Sequence, residues 1–137
     1  MIRRLTTIFA GLLLGILGTS AQAAPLVDAA WLQARLGDPG LVVLDIRNGT
    51  DGGSARLFEA GHIPGAVHSD YGSAGWRTVR DGVPGMLPPV ADLEGLIGAL
   101  GIGNGSHVVV VPAGVSASDY GSATRVYWTF KVLGHDA

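Results

Sequence analysis

The chain has 137 residues, room for one domain, and its 47% hydrophobic and 15% charged content is that of a globular chain, not a disordered one. Its net charge of −2 excludes the basic surface that a nucleic-acid partner would want. It has no cysteine, which excludes disulfides, thiolate metal ligands and any reaction through a thiol of its own.

Arg3 and Arg4 precede an uncharged apolar stretch, Leu5 to Gly18, and Ala21-Gln22-Ala23 fits the small-x-small cleavage pattern of a secretory signal peptide. Residues 1–23 are read as that signal and 24–137 as one domain. A membrane span needs about 20 apolar residues, so an uncleaved anchor is the lesser alternative. Cleavage would leave seven basic residues against eleven acidic ones, a net charge of −4. The expected location is periplasmic or secreted, with no membrane contact once the signal is removed.

Leu26-Val27 reads as a brief strand or lead-in, and Asp28 as the cap of a helix over Ala29–Leu36, stopped by Gly37. Asp38-Pro39-Gly40 is a turn. Leu41 to Ile46 is apolar except for Asp45, as in a strand buried on both faces of a parallel sheet. Ser54 caps a short predicted helix ending at Ala60, and Ala66-Val67-His68 is a short strand. Ser69 to Pro89 is rich in Gly and Pro, contains Trp76, Arg77 and Arg80, and reads as a long irregular loop. Val90 to Leu100 has Leu93, Leu96, Ile97 and Leu100 at helical spacing. His107 to Val111 is a strand, Pro112 to Asp119 a loop of small residues, and Tyr120 to Leu133 a helix stopped by Gly134. Tyr127, Trp128 and Phe130 are expected to pack that helix on the sheet.

Alternation of strands and helices implies an α/β fold, a mainly parallel sheet with helices on both faces. A further strand is expected after the last helix, so the domain reads as incomplete at its C-terminus and truncated before its last strand. A natural small domain ending on a helix is the alternative.

Asp45 and Arg47 end a buried strand, where α/β proteins place functional groups. The preferred reading is structural: an ion pair bracing the Gly61–Gly65 turn, with His62 bonded to backbone there. His62, His68, His107 and His135 have no zinc-type spacing, so no metal is expected, and no phosphate-binding glycine motif follows a strand, so no cofactor is expected either. Gly114-Val115-Ser116-Ala117-Ser118 lacks the final glycine of a nucleophile elbow, which makes a serine hydrolase built on Ser116 the weakest functional reading. The plainer reading has Ser118 or Asp119 cap the last helix.

Leu44-Asp45-Ile46-Arg47, Gly61-His62-Ile63-Pro64-Gly65-Ala66, Met86-Leu87-Pro88, His107-Val108-Val109-Val110-Val111 and the run Arg125 to His135 together resemble the rhodanese (sulfurtransferase) homology domain over nearly all of Asp28 to Asp136. The aromatic helix followed by Leu133-Gly134-His135 is similar to the N-terminal domain of tandem thiosulfate or 3-mercaptopyruvate sulfurtransferases. The resemblance implies chemistry through a cysteine persulfide whose cysteine opens the loop after the valine strand. Here Pro112-Ala113 stands there, so no catalytic residue carries over. It further implies a C-terminal catalytic rhodanese domain of the same polypeptide as partner and a small sulfur donor. Ala113, Gly114, Ser116, Ser118 and Asp119 are then candidates for the pocket wall or domain interface, with Asp45, Arg47 and His62 structural. The alternative function is a Cys-free binding or regulatory module.

Overall fold

The computed structural model describes residues 25–136. Leu41–Asp45 forms β1, the middle strand of a parallel three-stranded sheet. Val67–His68 (β2) lies on one side of it and His107–Val111 (β5) on the other. The β1–β5 register runs Leu41 to His107 through Asp45 to Val111 without a break, and Leu44 and Asp45 face Val67 and His68 of β2.

Side-chain alternation along the strands builds two cores. Leu44 and Ile46 meet Trp76, Ile102, Val126 and Phe130 on one face. Val43 and Val109 meet Leu32 on the other. Leu32 belongs to α1 (Ala29–Gln33), capped by Asp28, whose carboxylate accepts from the Trp31 amide at 2.7 Å. The opposite face is covered by α3 (Val90–Ala99), through Leu96 and Ile97, and by α4 (Ala117–Val132). Helices therefore cover both faces of the sheet, and a further short helix, α2 (Ala55–Ala60), is capped by Ser54.

Several expectations need correction. The helix over Ala29–Leu36 ends at Gln33, and Leu26-Val27 pairs with no strand. The last helix begins at Ala117, and its cap is Ser116, whose Oγ accepts from the Asp119 amide at 3.1 Å, and not Ser118 or Asp119. Two aromatics of that helix are not core: Tyr127 is 43% and Trp128 45% exposed, whereas Phe130 is buried. The stretch 69–89 is not wholly irregular. It carries an antiparallel hairpin, β3 (Thr78–Arg80) and β4 (Val83–Met86), turning at Asp81-Gly82, where both residues have positive φ as tight hairpin turns require. Trp76, fully buried, anchors this segment, and its Nε1 donates to Ser69 Oγ at 2.9 Å. The signal-peptide reading falls on residues outside those described. No helix among the described residues is long and apolar enough to cross a membrane.

Among the described residues β5 pairs with β1 alone. Its other edge opens into an apolar groove of about 570 Å³, bounded by Leu26 and Val27 on one side and by Tyr120 and Tyr127 of α4 on the other.

Candidate functional site at the carboxyl end of the sheet

The carboxyl ends of β1 and β5 lie side by side, at the edge where open α/β sheets hold their ligands. Asp45 is 3% exposed, and a buried carboxylate requires a partner. Arg47 provides it two residues on: Nε donates to both Asp45 oxygens, at 3.0 and 2.8 Å, and Nη2 lies 2.7 Å from Oδ2. The same Nη2 donates to the Gly61 carbonyl at 3.0 Å and so ties the strand end to the following turn. In that turn His62 Nδ1 donates to the Phe58 carbonyl at 2.7 Å, and its ring stacks on Phe58 with centroids 4.0 Å apart. His68 Nε2 donates to the Arg47 carbonyl at 2.9 Å. Asp45, Arg47, His62 and His68 thus form one brace, in which each polar contact is internal to the fold.

After β5 the chain turns sharply, with Gly114 at φ +77°, a conformation other residues rarely adopt. The turn aims three successive amides inward, an arrangement that binds anions. The anion is the chain's own. Asp119, 1% exposed, accepts from the Ala113 amide at 3.0 Å, from the Val115 amide at 3.0 Å and from the Gly114 amide. Of the five residues placed on this loop as a wall or interface, Asp119 is buried and Ala113 half-buried, while Gly114, Ser116 and Ser118 are exposed. Ser116 is occupied as helix cap and lies 2.9 Å from Ser118 Oγ, with no histidine in either contact. That geometry gives the hydrolase reading of Ser116 no support, because a serine nucleophile needs a base within hydrogen-bond reach and neither contact supplies one.

Between the two strand ends sits a polar cavity of about 210 Å³, lined by Asn48, Asp51, Tyr71, Arg77, Ser118 and Ser122, with Thr50 and Gly121. Sequence reasoning passed over Asn48 and Asp51. Asn48 Oδ1 accepts from the Thr50 amide at 2.9 Å and its Nδ2 donates to Asp51 Oδ2 at 2.8 Å. An Asn followed by Gly-Thr-Asp is the signal for such a side-chain-locked turn. Arg77 stands over the Tyr71 ring, 4.6 Å from its centroid. No cluster among the described residues could hold a metal ion.

The parallel sheet covered on both faces, the ion pair at the end of β1 and the tight loop at the end of β5 define an α/β domain in which the loop after the valine strand closes on a buried carboxylate of its own chain. A family model, the Rhodanese-like domain, matches residues 28–136, and the chain belongs to that family. It is 36% identical over 120 residues to the 3-mercaptopyruvate sulfurtransferase of Homo sapiens, covering 86% of this chain and 34% of that protein. It is 38% identical over 117 residues to the thiosulfate sulfurtransferase of Bos taurus, covering 80% of this chain and 38% of that one. The crystal structure of SseA from Escherichia coli, described as a 3-mercaptopyruvate sulfotransferase, superposes with a TM-score of 0.56 at 20% identity, over 80% of this chain and 36% of that chain, and shows the shared fold. The chain spans little more than a third of the length of these relatives, which are sulfurtransferases.

Proposed function

We propose that this chain is the non-catalytic N-terminal half of an exported sulfurtransferase that moves sulfane sulfur from thiosulfate or 3-mercaptopyruvate to cyanide or a thiol. The observation that carries the reading is the loop after β5. In the catalytic domains this family resembles, a cysteine opens that loop and its amides cradle the persulfide. Here Pro112-Ala113 stands at that place, and the amides of residues 113–115 are closed on Asp119. A cradle already filled by a buried carboxylate has no room or charge for a second anion.

In this reading a catalytic cysteine on a C-terminal rhodanese domain of the same polypeptide takes the sulfane sulfur from the donor as a persulfide and passes it to the acceptor in a second step. This half contributes the exposed rim of the 113–119 loop to the pocket wall or to the interface between domains. The open edge of β5 and its apolar groove support a continuing sheet, since an added strand running parallel to β5 would pair its free amides and carbonyls and cover the groove. The export half of the proposal rests on the sequence pattern of residues 1–23.

The test is to replace residues 113–119 by an unrelated loop in the complete gene product. Sulfur transfer falls if the loop walls the pocket, and unchanged transfer with an intact fold removes it from the site. The reading as a Cys-free binding module is favoured by one feature, the polar cavity beside Arg77, and it becomes the account if the complete gene product has no cysteine.

A further inference from the structure

Each of the chain's two asparagines, Asn48 and Asn104, is followed by a glycine. An asparagine in that setting is open to attack on its side-chain carbonyl by the next backbone amide, because glycine brings no Cβ to shield its nitrogen and bends freely. In sequence the two sites are alike, and the fold separates them. Asn48 is 2% exposed and both ends of its amide are held: Oδ1 accepts from the Thr50 amide at 2.9 Å, and Nδ2 donates to Asp51 Oδ2 at 2.8 Å. Its backbone carbonyl accepts from the Gly53 amide at 2.8 Å, so the main chain is pinned as well. Asn104 and Gly105 are exposed at the centre of the turn that leads into β5, where the Ser106 amide donates to the Gly103 carbonyl at 3.0 Å. Neither the Asn104 side chain nor the Gly105 amide has a hydrogen-bond partner among the described residues. Nothing lies within 4 Å of the place a Cβ on Gly105 would take, so its nitrogen is reached without obstruction.

We propose that Asn104 is a site of spontaneous deamidation and isoaspartate formation in the folded protein, and that the fold protects Asn48 from the same reaction. The Gly105 nitrogen attacks Asn104 Cγ. An N–Cγ bond forms, the Cγ–Nδ2 bond breaks, and Nδ2 leaves as ammonia with the proton of the Gly105 amide. The product is a cyclic imide, a succinimide, which water then opens. Attack of water at the side-chain carbonyl gives an aspartate at position 104. Attack at the main-chain carbonyl gives an isoaspartate, whose backbone runs on through Cβ and Cγ. One water is consumed and one ammonia released, with no oxidant or reductant. The isoaspartate makes the backbone of the turn one methylene longer at a joint tied on three sides. Ser106 Oγ accepts from the Gly103 amide at 3.0 Å, the Ser106 carbonyl accepts from His135 Nε2 at 2.8 Å, and the His107 amide donates to the Gly40 carbonyl at 2.7 Å. These bonds fix the entry of β5 and hold the segment after α4 against it, so the modification loosens both. The site stands independently of sulfur transfer.

The test is to age the complete gene product at mildly alkaline pH and physiological temperature, cleave it after arginine and weigh the peptides. Asn48 falls in peptide 48–56 and Asn104 in peptide 81–125, and each is the only side-chain amide in its peptide, so the mass gain of an amide-to-acid exchange locates the reaction. Isomerisation at Asp51-Gly52 or Asp81-Gly82 in the same peptides leaves the mass unchanged. Peptide 81–125 is expected to gain that mass about tenfold faster than 48–56 or more, since Asn48 must first break two hydrogen bonds. In urea the two rates are expected to converge, because the difference belongs to the fold. Asn104→Gln, which would need a larger ring, suppresses the reaction at 104. So does Gly105→Ala, a change accommodated by open space and a φ outside the left-handed region. In the aged protein the His107 amide exchanges with deuterium faster than in fresh protein or in Asn104→Asp, which carries the charge without the extra methylene. No mass gain in 81–125 over the time in which the urea-unfolded protein converts, or equal rates for the two peptides in the folded protein, overturns the proposal. Rates that stay unequal in urea assign the difference to local sequence and overturn the protection of Asn48.

Discussion

Asp119 is the residue on which the loop after β5 depends. Three amides converge on its buried carboxylate, and each hydrogen bond to a charged group contributes about 1.5–3 kcal/mol. Asp119→Ala orphans all three, and the exposed loop relaxes to let water recover part of the loss. The expected cost is about 3 kcal/mol, read as a shift of the urea midpoint. A loss below about 0.5 kcal/mol, the range of an ordinary surface change, would show that the loop does not need its anion. A second residue-scale prediction concerns Gly53. A Cβ there would lie 2.6 Å from Arg47 Cβ and 2.9 Å from the Asn48 amide nitrogen, both on the backbone segment that carries the Asp45–Arg47 brace. Gly53→Ala therefore displaces Asn48 and Arg47, with an expected cost of about 2 kcal/mol. A Gly53→Ala protein that melts with the parent would contradict the close approach. Both residues illustrate what sequence hides. Asp119 was legible as a polar residue near a helix start, but its direction was not, because a capping Asp and a nest-filling Asp look alike in one dimension. Gly53 was one of 22 glycines until the fold brought Arg47 against it.

At the scale of elements, the segment between β2 and α3 owes its order to Trp76. The side chain is fully buried against Phe130, with ring centroids 5.9 Å apart, and is satisfied at its one polar atom. Trp76→Ala is expected to cost about 3–5 kcal/mol and to release the β3–β4 hairpin to proteolysis. A protease-resistant hairpin in that variant would place its anchor elsewhere. The hairpin was not legible because Thr78–Met86 alternates poorly and contains Pro84, which argues against a strand. Its strands are short and sit apart from the main sheet, where the register of Thr78 with Met86 shifts once. The main sheet was legible because its signal is physical and local: residues 41–44 and 108–111 are continuous apolar runs of strand length rich in valine, as strands covered on both faces require. The exposed Tyr127 and Trp128 were not, because the face of α4 that meets the sheet is set by Val126 and Phe130, and the aromatic run exceeds that stripe.

For the whole molecule, the proposed continuation of the sheet implies that residues 24–137 alone are a poor independent unit, because the edge of β5 beside the apolar groove pairs with no strand among the described residues. Expressed alone, they are expected to melt broadly and to aggregate, and a sharp cooperative melt would count against the continuing sheet. The central claim is that sulfur transfer by this protein belongs to a thiol outside the chain described. It is tested most directly by mass spectrometry of the complete gene product after exposure to thiosulfate. The account predicts a persulfide on a cysteine outside residues 1–137, and none on any residue within them. A product that carries no persulfide anywhere, under conditions where a sulfurtransferase of this family is fully loaded, would contradict it.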